Sequence, residues 1–403
     1  MFKKIFLVIA FGVATLAGWR SYDAATLQQQ VKELRNPAPP GSLAPSLSAT
    51  SDGKVMLSWL EPVDSVLTFR FATWNGSNWT RPNTVLRRAD LQPDSAAPPI
   101  IASLRDGSMV AVWPAVVKGT GKEDGNFLYS AASRDGGVHW STPIRIHSDK
   151  GISEHSYHSV VATGTDDATI VWLDSRDYEA KHRYRLMSAT IDSIGRVSNE
   201  RTVDEDTCTC CPTAFVKTRS GAVAAYRGHT PEEIRDIKVV QLANGNWQSP
   251  HTVHDDGWKI NGCPVNGPAI ASNGNHLATI WFTGSHDKPE VKAALSDDLG
   301  TTFRAPIILE TPEGENRPVG HVAISLLDDG SAVAIWLHHQ PSGTEIVGER
   351  ISSSGEPGGR FTIASGTEAG LGYPRAQRVG NQILVSWSGK TGKEVRTAII
   401  AEP

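Results

Sequence analysis

A repeat of 51 to 59 residues runs through most of the chain and restricts the folds that are open to it. In each unit, a turn is followed by a run of small and β-branched residues that ends in an aromatic residue. Each turn also follows another short apolar run, and further strand-like runs come after the aromatic residue. Several short strands at this period are typical of the blades of a β-propeller. The aromatic anchors are Trp59, Trp113, Trp172, Tyr226, Trp281, Trp336 and Trp387.

The seven anchors predict an all-β protein with seven four-stranded blades. The seventh unit ends after its third strand, near Ile400. A segment near the N-terminus is therefore expected to supply the missing strand and close the ring.

Residues 1–20 resemble an export signal or an N-terminal membrane anchor. Lys3 and Lys4 precede an uncharged apolar run that has the length of a signal-peptide core and is short for a membrane span. Residues 21–44 are polar and rich in proline, as in a linker, so the propeller is expected at 45–403. We therefore expect an exported protein, periplasmic or extracellular, that is either processed or tethered to the membrane.

The charge of the chain bears on its partners. The formal net charge is −4 at pH 7, and the sequence has no basic run. Nucleic acid is therefore not expected as a partner. The sequence makes no prediction of the oligomeric state.

Two turns between third and fourth strands share the pattern Ser-x-Asp-x-Gly-x-x-aromatic, namely "SRDGGVHW" from Ser133 and "SDDLGTTF" from Ser296. In such a turn, Ser and Asp bind backbone N–H groups and Gly adopts a conformation that other residues resist. The pattern resembles the Asp box of the sialidase-like, or BNR-repeat, superfamily. The resemblance covers most of the chain from residue 45 onward, and it makes six blades, the usual sialidase number, the alternative to seven. Asp boxes are structural and do not identify a reaction.

The repeat also assigns residues to the two faces of the propeller. Turns between first and second strands and between third and fourth strands lie at one face. Loops between second and third strands, and connections between blades, lie at the opposite face, which we call the loop face. Because the loop face carries most of the polar residues, a ligand pocket is expected there, opposite the Asp boxes.

Arginines from five different connections predict a pocket that attracts a small anionic or carbohydrate ligand, even though the chain is negative overall. The predicted ligand-binding residues are Arg176, Arg227, Arg235, Arg317, Arg375, His229 and Trp258.

The resemblance to sialidases also implies catalytic roles, because those enzymes use three arginines on the substrate carboxylate, a Tyr nucleophile activated by Glu, and an Asp acid. In this sequence the resemblance implies Tyr157, Tyr226 or Tyr373 as the nucleophile, with Glu154, Glu232 or Glu233 to activate it. It implies Asp174 or Asp177 as the acid. The Arg-Ile-Pro segment that precedes the first blade of sialidases has no counterpart here. An exo-sialidase is therefore one alternative, beside a ligand-binding propeller without hydrolysis and an interaction scaffold of the cell envelope.

Three of the four cysteines, Cys208, Cys210 and Cys211, lie in "DTCTCCPT", and Cys263 enters the next blade. In an exported protein these cysteines are expected to be oxidised. A disulfide from one of the three to Cys263 is the first interpretation. Cys211 is the favoured partner, because Cys211 and Cys263 both precede proline and occupy equivalent places in their blades.

A metal site is the second interpretation of the cysteines. The clustered thiols, together with His155 and His158 on the preceding connection, would suit a soft ion such as copper or zinc. A redox-active or vicinal disulfide is the third.

Overall fold

The computed structural model describes residues 31–119, 124–367, 371–389 and 392–401, which form a closed ring of seven antiparallel sheets. The prediction of a seven-bladed β-propeller is confirmed, and the six-bladed alternative is not. The predicted export segment, residues 1–20, lies outside the described residues.

The first strand in the chain, β1 (Val31–Leu34), belongs to the last blade, so blade 1 begins with β2. From the axis outward, the strands of the first three blades are β2 (Leu43–Ala49), β3 (Val55–Val63), β4 (Val66–Trp74) and β5 (Asn83–Arg88); β6 (Ile100–Ser103), β7 (Met109–Val117), β8 (Gly125–Ser133) and β9 (Ile144–Arg145); and β10 (His155–Ala162), β11 (Asp167–Asp174), β12 (Tyr184–Asp192) and β13 (Val197–Thr207).

In blade 4 two short segments share the outermost position. The strands of the remaining blades are β14 (Ala214–Thr218), β15 (Gly221–Arg227), β16 (Ile237–Ala243), β17 (Asn246–Trp247) and β18 (His251–Thr252); β19 (Ala269–Asn273), β20 (His276–Thr283), β21 (Glu290–Ser296) and β22 (Ile307–Glu310); β23 (Arg317–Leu326), β24 (Ala332–Gln340), β25 (Gly343–Ile351) and β26 (Pro357–Gly366); and β27 (Gly372–Val379), β28 (Gln382–Gly389) and β29 (Glu394–Ala401), followed by β1.

Within the described residues, helical structure is limited to short pieces on the loop face. Helix α1 (Tyr178–Lys181) joins β11 to β12, and a 3₁₀ turn (Ser285–Asp287) joins β20 to β21. Among the described residues, no helix has the length and apolar character needed to cross a membrane.

Strand β1 closes the ring by pairing with β29. The two strands run antiparallel, with Val31 opposite Ile400, and Glu33 forms a salt bridge of 2.6 Å with Arg396. This pairing confirms that an N-terminal segment supplies the missing strand. The propeller therefore includes part of the segment 21–44 that the sequence analysis assigned to a linker.

The aromatic anchors lie in the second strands and hold neighbouring blades together. Trp113, for example, packs edge-on against Phe69 of the preceding blade, with ring centroids 6.2 Å apart. In three blades the buried indole also donates a hydrogen bond to a carboxylate, from Trp172 to Asp174 at 2.9 Å, from Trp281 to Asp256 at 2.6 Å and from Trp336 to Glu310. Burying such large side chains is a main source of stability in a propeller. All seven anchors are at most 1% exposed.

The turn after β8 makes the hydrogen bonds that its sequence predicts. Ser133 donates to Asp135, and Asp135 accepts the backbone N–H of His139 at 2.9 Å. Gly137 adopts a φ of +88°, and a Cβ at this residue would lie 2.4 Å from the ring of Phe71. Only glycine therefore fits this place in the turn.

The turn after β21 repeats this arrangement. The backbone N–H of Gly300 donates to Ser296 at 2.8 Å, and Asp298 accepts the backbone N–H of Thr302 at 2.9 Å. Because each turn joins a third strand to a fourth, both lie at the face opposite the loop face.

A disulfide links the connections that enter blades 4 and 5. It joins Cys210 to Cys263, whose Cα atoms are 6.0 Å apart. The predicted bridge to Cys263 is therefore present, but its partner is Cys210 and not Cys211. Cys211 instead faces Cys208, with the two buried sulfurs 2.8 Å apart, in a cluster that also contacts Tyr157.

We expect ring closure by β1 to be required for stability. A chain that begins at Arg35 lacks the four residues that pair with β29. It should lose roughly 2–4 kcal/mol of unfolding free energy, because each backbone hydrogen bond contributes about 1 kcal/mol. Denaturant unfolding would measure this loss against a control chain that begins at Val31. Equal stability of the two chains would show that β1 is dispensable.

We expect two free thiols per chain in denatured, unreduced protein and four after reduction. Removing the bridge with Cys210→Ala and Cys263→Ala should lower the unfolding free energy by about 4 kcal/mol, the entropic value for a loop of about fifty residues. Thiol titration and denaturant unfolding would measure these quantities. A count of zero or four thiols before reduction would contradict this pairing.

Candidate functional site

The inner strands of the blades surround an axial channel with a cavity of about 530 Å³. All seven inner strands contribute to its wall, which consists mainly of small residues. Arg375 and His158 line the channel at its loop-face end. Charged side chains therefore meet the cavity at this end, and Arg105 and Lys217 line it at the opposite end.

A repeated backbone irregularity shapes the loop-face end of the channel. In five of the blades, a residue at or just before the start of the inner strand has a left-handed conformation, with φ between 30° and 53°. Four of these residues coincide with register shifts in the pairing of the inner strand. Such bulges redirect side chains, and the conformation is strained for residues other than glycine. The five residues are Ala44, Tyr157, Val265, His321 and Tyr373.

Three of the bulge positions carry rings, which together with Arg375 and Asp94 form what we call the channel mouth: Asp94, Tyr157, His321, Tyr373 and Arg375. The rings of His321 and Tyr373 stack with centroids 4.0 Å apart and an interplanar angle of 12°. The guanidinium carbon of Arg375 lies 5.9 Å from the Tyr373 centroid. The mouth thus combines a flat aromatic surface with a cation.

Arg375 forms no ion pair with any described residue. One of its terminal nitrogens donates to the carbonyl of Ser95 at 3.1 Å, while its Nε is buried and has no hydrogen-bond partner among the described residues. Burial lowers the pKa of Arg375, and the nearby Tyr373 and Asp94 act in the opposite direction. The mouth therefore holds a guanidinium whose hydrogen-bonding capacity is not used within the protein.

The other ionisable groups of the mouth are neutral or negative at neutral pH. Burial, and then the charge of Asp94, raise the pKa of Tyr157 and of Tyr373. Burial, and then the charge of Arg375, lower the pKa of His321 to about 4. The tyrosines are therefore protonated phenols and His321 is a neutral imidazole.

Asp94 was not predicted from the sequence. It lies in the connection that enters blade 2, where its side chain accepts the backbone N–H of Ala96 at 2.8 Å. The sequence analysis took polar residues from the connections that enter later blades and passed over this one. The same positional rule, applied to every connection, would have included it.

Arg227 and Trp258, both predicted to bind a ligand, are part of the packing of blade 4. Arg227 is 1% exposed, and its three guanidinium nitrogens donate to the carbonyls of Asn266, Arg235 and Phe282 at 2.6 to 2.9 Å. Its guanidinium lies 4.7 Å from the ring centroid of Trp258, which is itself buried. Neither side chain is available to a ligand in this arrangement.

Two more predicted residues, Arg235 and His229, are engaged at the rim of blade 4. Arg235 pairs with Glu233 at 2.9 Å, and His229 lies between Asp206 at 2.7 Å and Glu233 at 3.3 Å. Arg317 is exposed, and its side chain contacts none of the described residues of the mouth.

The predicted acids lie in a separate, paired cluster. Asp174 is fully buried and accepts hydrogen bonds from Trp172 and Arg176, and Arg176 also binds Glu200 at 2.7 Å. Burial acts to raise the pKa of Asp174, but Arg176 outweighs it and the net shift is downward. Asp177 pairs with Arg185.

The predicted pair of Tyr157 with a glutamate is not formed. Glu154 accepts a hydrogen bond from Tyr184 and not from Tyr157, and Glu232 is exposed. Of the residues that the resemblance to sialidases implied, the structure brings Tyr157, Tyr373 and Arg375 to the channel mouth.

The predicted metal set of cysteines with His155 and His158 is also not assembled among the described residues. His155 contacts His147 and Asp149, and the buried ring of His158 lies near backbone carbonyls. The hydrogen bond from Cys211 lowers the pKa of Cys208 to about 6, and nearby arginines contribute. Burial raises the pKa of Cys211.

Comparison with known proteins gives the fold and no closer relative. No protein-family model and no curated protein matches the chain. Two structures of a polysaccharide lyase, "PL25-Ulvanlyase", are similar with TM-scores of 0.57 and 0.56, 11% identity, and coverage of 92% of this chain and 96% of theirs. A GH93 α-L-arabinofuranosidase of Fusarium graminearum has a TM-score of 0.48, 12% identity, and coverage of 92% of this chain and 97% of its own. The chain thus shares its β-propeller fold with carbohydrate-active proteins.

Proposed function

We propose that this chain is an exported β-propeller that binds an acidic carbohydrate at the channel mouth. The observation that carries the proposal is Arg375, a largely buried guanidinium with an unused Nε and no ion pair among the described residues. Export is part of the proposal, and the signal-like residues 1–20 and the disulfide support it.

A carboxylate or sulfate group on the ligand would satisfy Arg375. A buried charge without a partner is costly, and a guanidinium binds a carboxylate with strong, charge-assisted hydrogen bonds. The carboxylate of Asp94 lies on the same rim and repels an anion. An anionic group of the ligand therefore binds only where it contacts Arg375 directly.

The rings of the mouth suit the sugar part of the ligand. The stacked pair of His321 and Tyr373 offers a flat face, and the Tyr157 hydroxyl makes no hydrogen bond with any described residue. Ligand sites commonly combine such apolar faces with a few polar groups. One of the ulvan lyase structures with the same fold is bound to -[GlcA(1-4)Rha3S]-, which supports this ligand class by analogy of fold alone.

The geometry favours binding over hydrolysis of the sialidase type. Arg176, Arg227 and Arg235 each donate from two or more guanidinium nitrogens to carbonyls or carboxylates of the protein, so they do not form a clamp. The raised pKa of Tyr157 also makes its phenolate a minor species at neutral pH, which disfavours a nucleophilic role.

We expect Arg375→Gln to weaken the binding of a glucuronate-containing oligosaccharide by about 10- to 100-fold, because a hydrogen bond to a charged group contributes about 1.5–3 kcal/mol. Calorimetry against the acidic oligosaccharide and a neutral one of equal length would measure the effect. The matched control is Arg317→Gln, since Arg317 is exposed and outside the mouth. Equal affinity for both sugars, or an unchanged affinity in Arg375→Gln, would contradict the proposal.

We expect the affinity for the acidic sugar to be constant between about pH 6 and about pH 8, because the pKa of His321 is lowered to about 4 and the pKa values of Tyr157 and Tyr373 are raised. His321, with a pKa of about 4, becomes positive only in more acidic solution, where it should strengthen anion binding. Calorimetry from about pH 4, the pKa of His321, to about pH 8 would check both statements. A sigmoidal change centred near neutral pH would show that another group controls binding.

A further inference from the structure

The connection between β9 and β10 brings three potential metal ligands together away from the channel mouth. These are His147, Asp149 and His155, and one ligand atom of each lies within 4.8 Å of the other two. His147 is 3% exposed and His155 is fully buried. The cluster is distinct from the cysteines, which form a separate group.

His147 has no partner for either ring nitrogen among the described residues, although both nitrogens are buried. Its ring stacks on that of His155, with centroids 3.5 Å apart and an interplanar angle of 12°. A neutral imidazole has one donor and one acceptor, and leaving them buried without partners is costly. A metal ion would occupy the acceptor nitrogen.

His155 is oriented as a metal ligand would be. Its Nδ1 lies 2.9 Å from the carbonyl oxygen of Asn126, so Nδ1 carries the hydrogen and Nε2 presents a lone pair. Nε2 faces carboxylate oxygens of Asp149 at 3.4 Å and of Asp174 at 3.5 Å. Acceptor atoms that face one another repel unless a proton or a metal cation lies between them.

The negative charge of the cluster is only partly balanced by cationic side chains. Arg176 pairs with Asp174 and Glu200, whereas Asp149 has no lysine or arginine partner among the described residues. Asp149 is held in place by the hydroxyl of Ser153 at 2.5 Å. A positive ion would therefore neutralise a carboxylate that the protein has positioned but not paired.

We propose that His147, Asp149 and His155 bind a zinc ion that fixes the connection between blades 2 and 3. Two imidazole nitrogens and one carboxylate oxygen are an established ligand set for zinc, with a fourth position for Asp174 or water. Zinc bonds of about 2.0–2.2 Å require the three ligand atoms to approach by about 1 Å. This inference does not depend on the proposed sugar ligand.

The test is zinc binding by the full chain after treatment with a chelator. We expect one zinc ion per chain by calorimetry, and an affinity more than about 100-fold lower in His147→Ala and in Asp149→Asn, because these changes remove ligands rather than their supports. Two controls should bind zinc like the unchanged protein. They are the double variant Cys208→Ser and Cys211→Ser, which removes the thiol pair, and His276→Ala, which removes an exposed histidine.

Cobalt(II) in place of zinc gives an independent readout. We expect tetrahedral d–d absorption without a thiolate charge-transfer band. The proposal is overturned if the stripped chain binds no zinc, if Asp149→Asn binds it as tightly as the unchanged protein, or if cobalt shows thiolate ligation. Should His147→Ala fail to fold, Asp149→Asn, which keeps the shape of the side chain, still decides the question.

Discussion

The antiparallel pairing of β1 with β29 is the constraint on which the rest of the structure depends. Each blade buries its aromatic anchor only against a neighbouring blade, so an open ring would leave two sheets with exposed apolar faces. The closing strand comes from the opposite end of the chain. The ring, the channel along its axis and the loop-face mouth therefore form together, when the two ends of the chain meet.

The sequence was sufficient for the fold because the evidence for it is periodic. A tryptophan at the same place in successive units must be buried in each, and the spacing then fixes the number of blades and the face of every turn. The contacts that individual long side chains make do not repeat from blade to blade. Arg227 and Arg235 were predicted at the correct face, yet whether their guanidinium groups meet a ligand or a backbone carbonyl depends on distances of a few ångströms that spacing does not contain.

The cysteines show the same limit. The shared Cys-Pro sequence indicated that Cys211 and Cys263 start their blades in the same way, and the connections do lie side by side. The chain, however, bends at Thr209 and Cys210, so the shared position before proline does not determine which side chain reaches the neighbouring connection. Cys210 therefore reaches Cys263 while Cys211 turns inward towards Cys208, and only the three-dimensional arrangement distinguishes these two outcomes.

The left-handed bulges have a consequence for how such a protein can change over time. Three of the five bulge residues, Tyr157, His321 and Tyr373, place a ring at the mouth, so these positions can vary while the pairing of the strands stays intact. The other two bulge residues, Ala44 and Val265, carry small side chains. A change of ligand specificity would therefore need substitutions at these positions and no rearrangement of the blades.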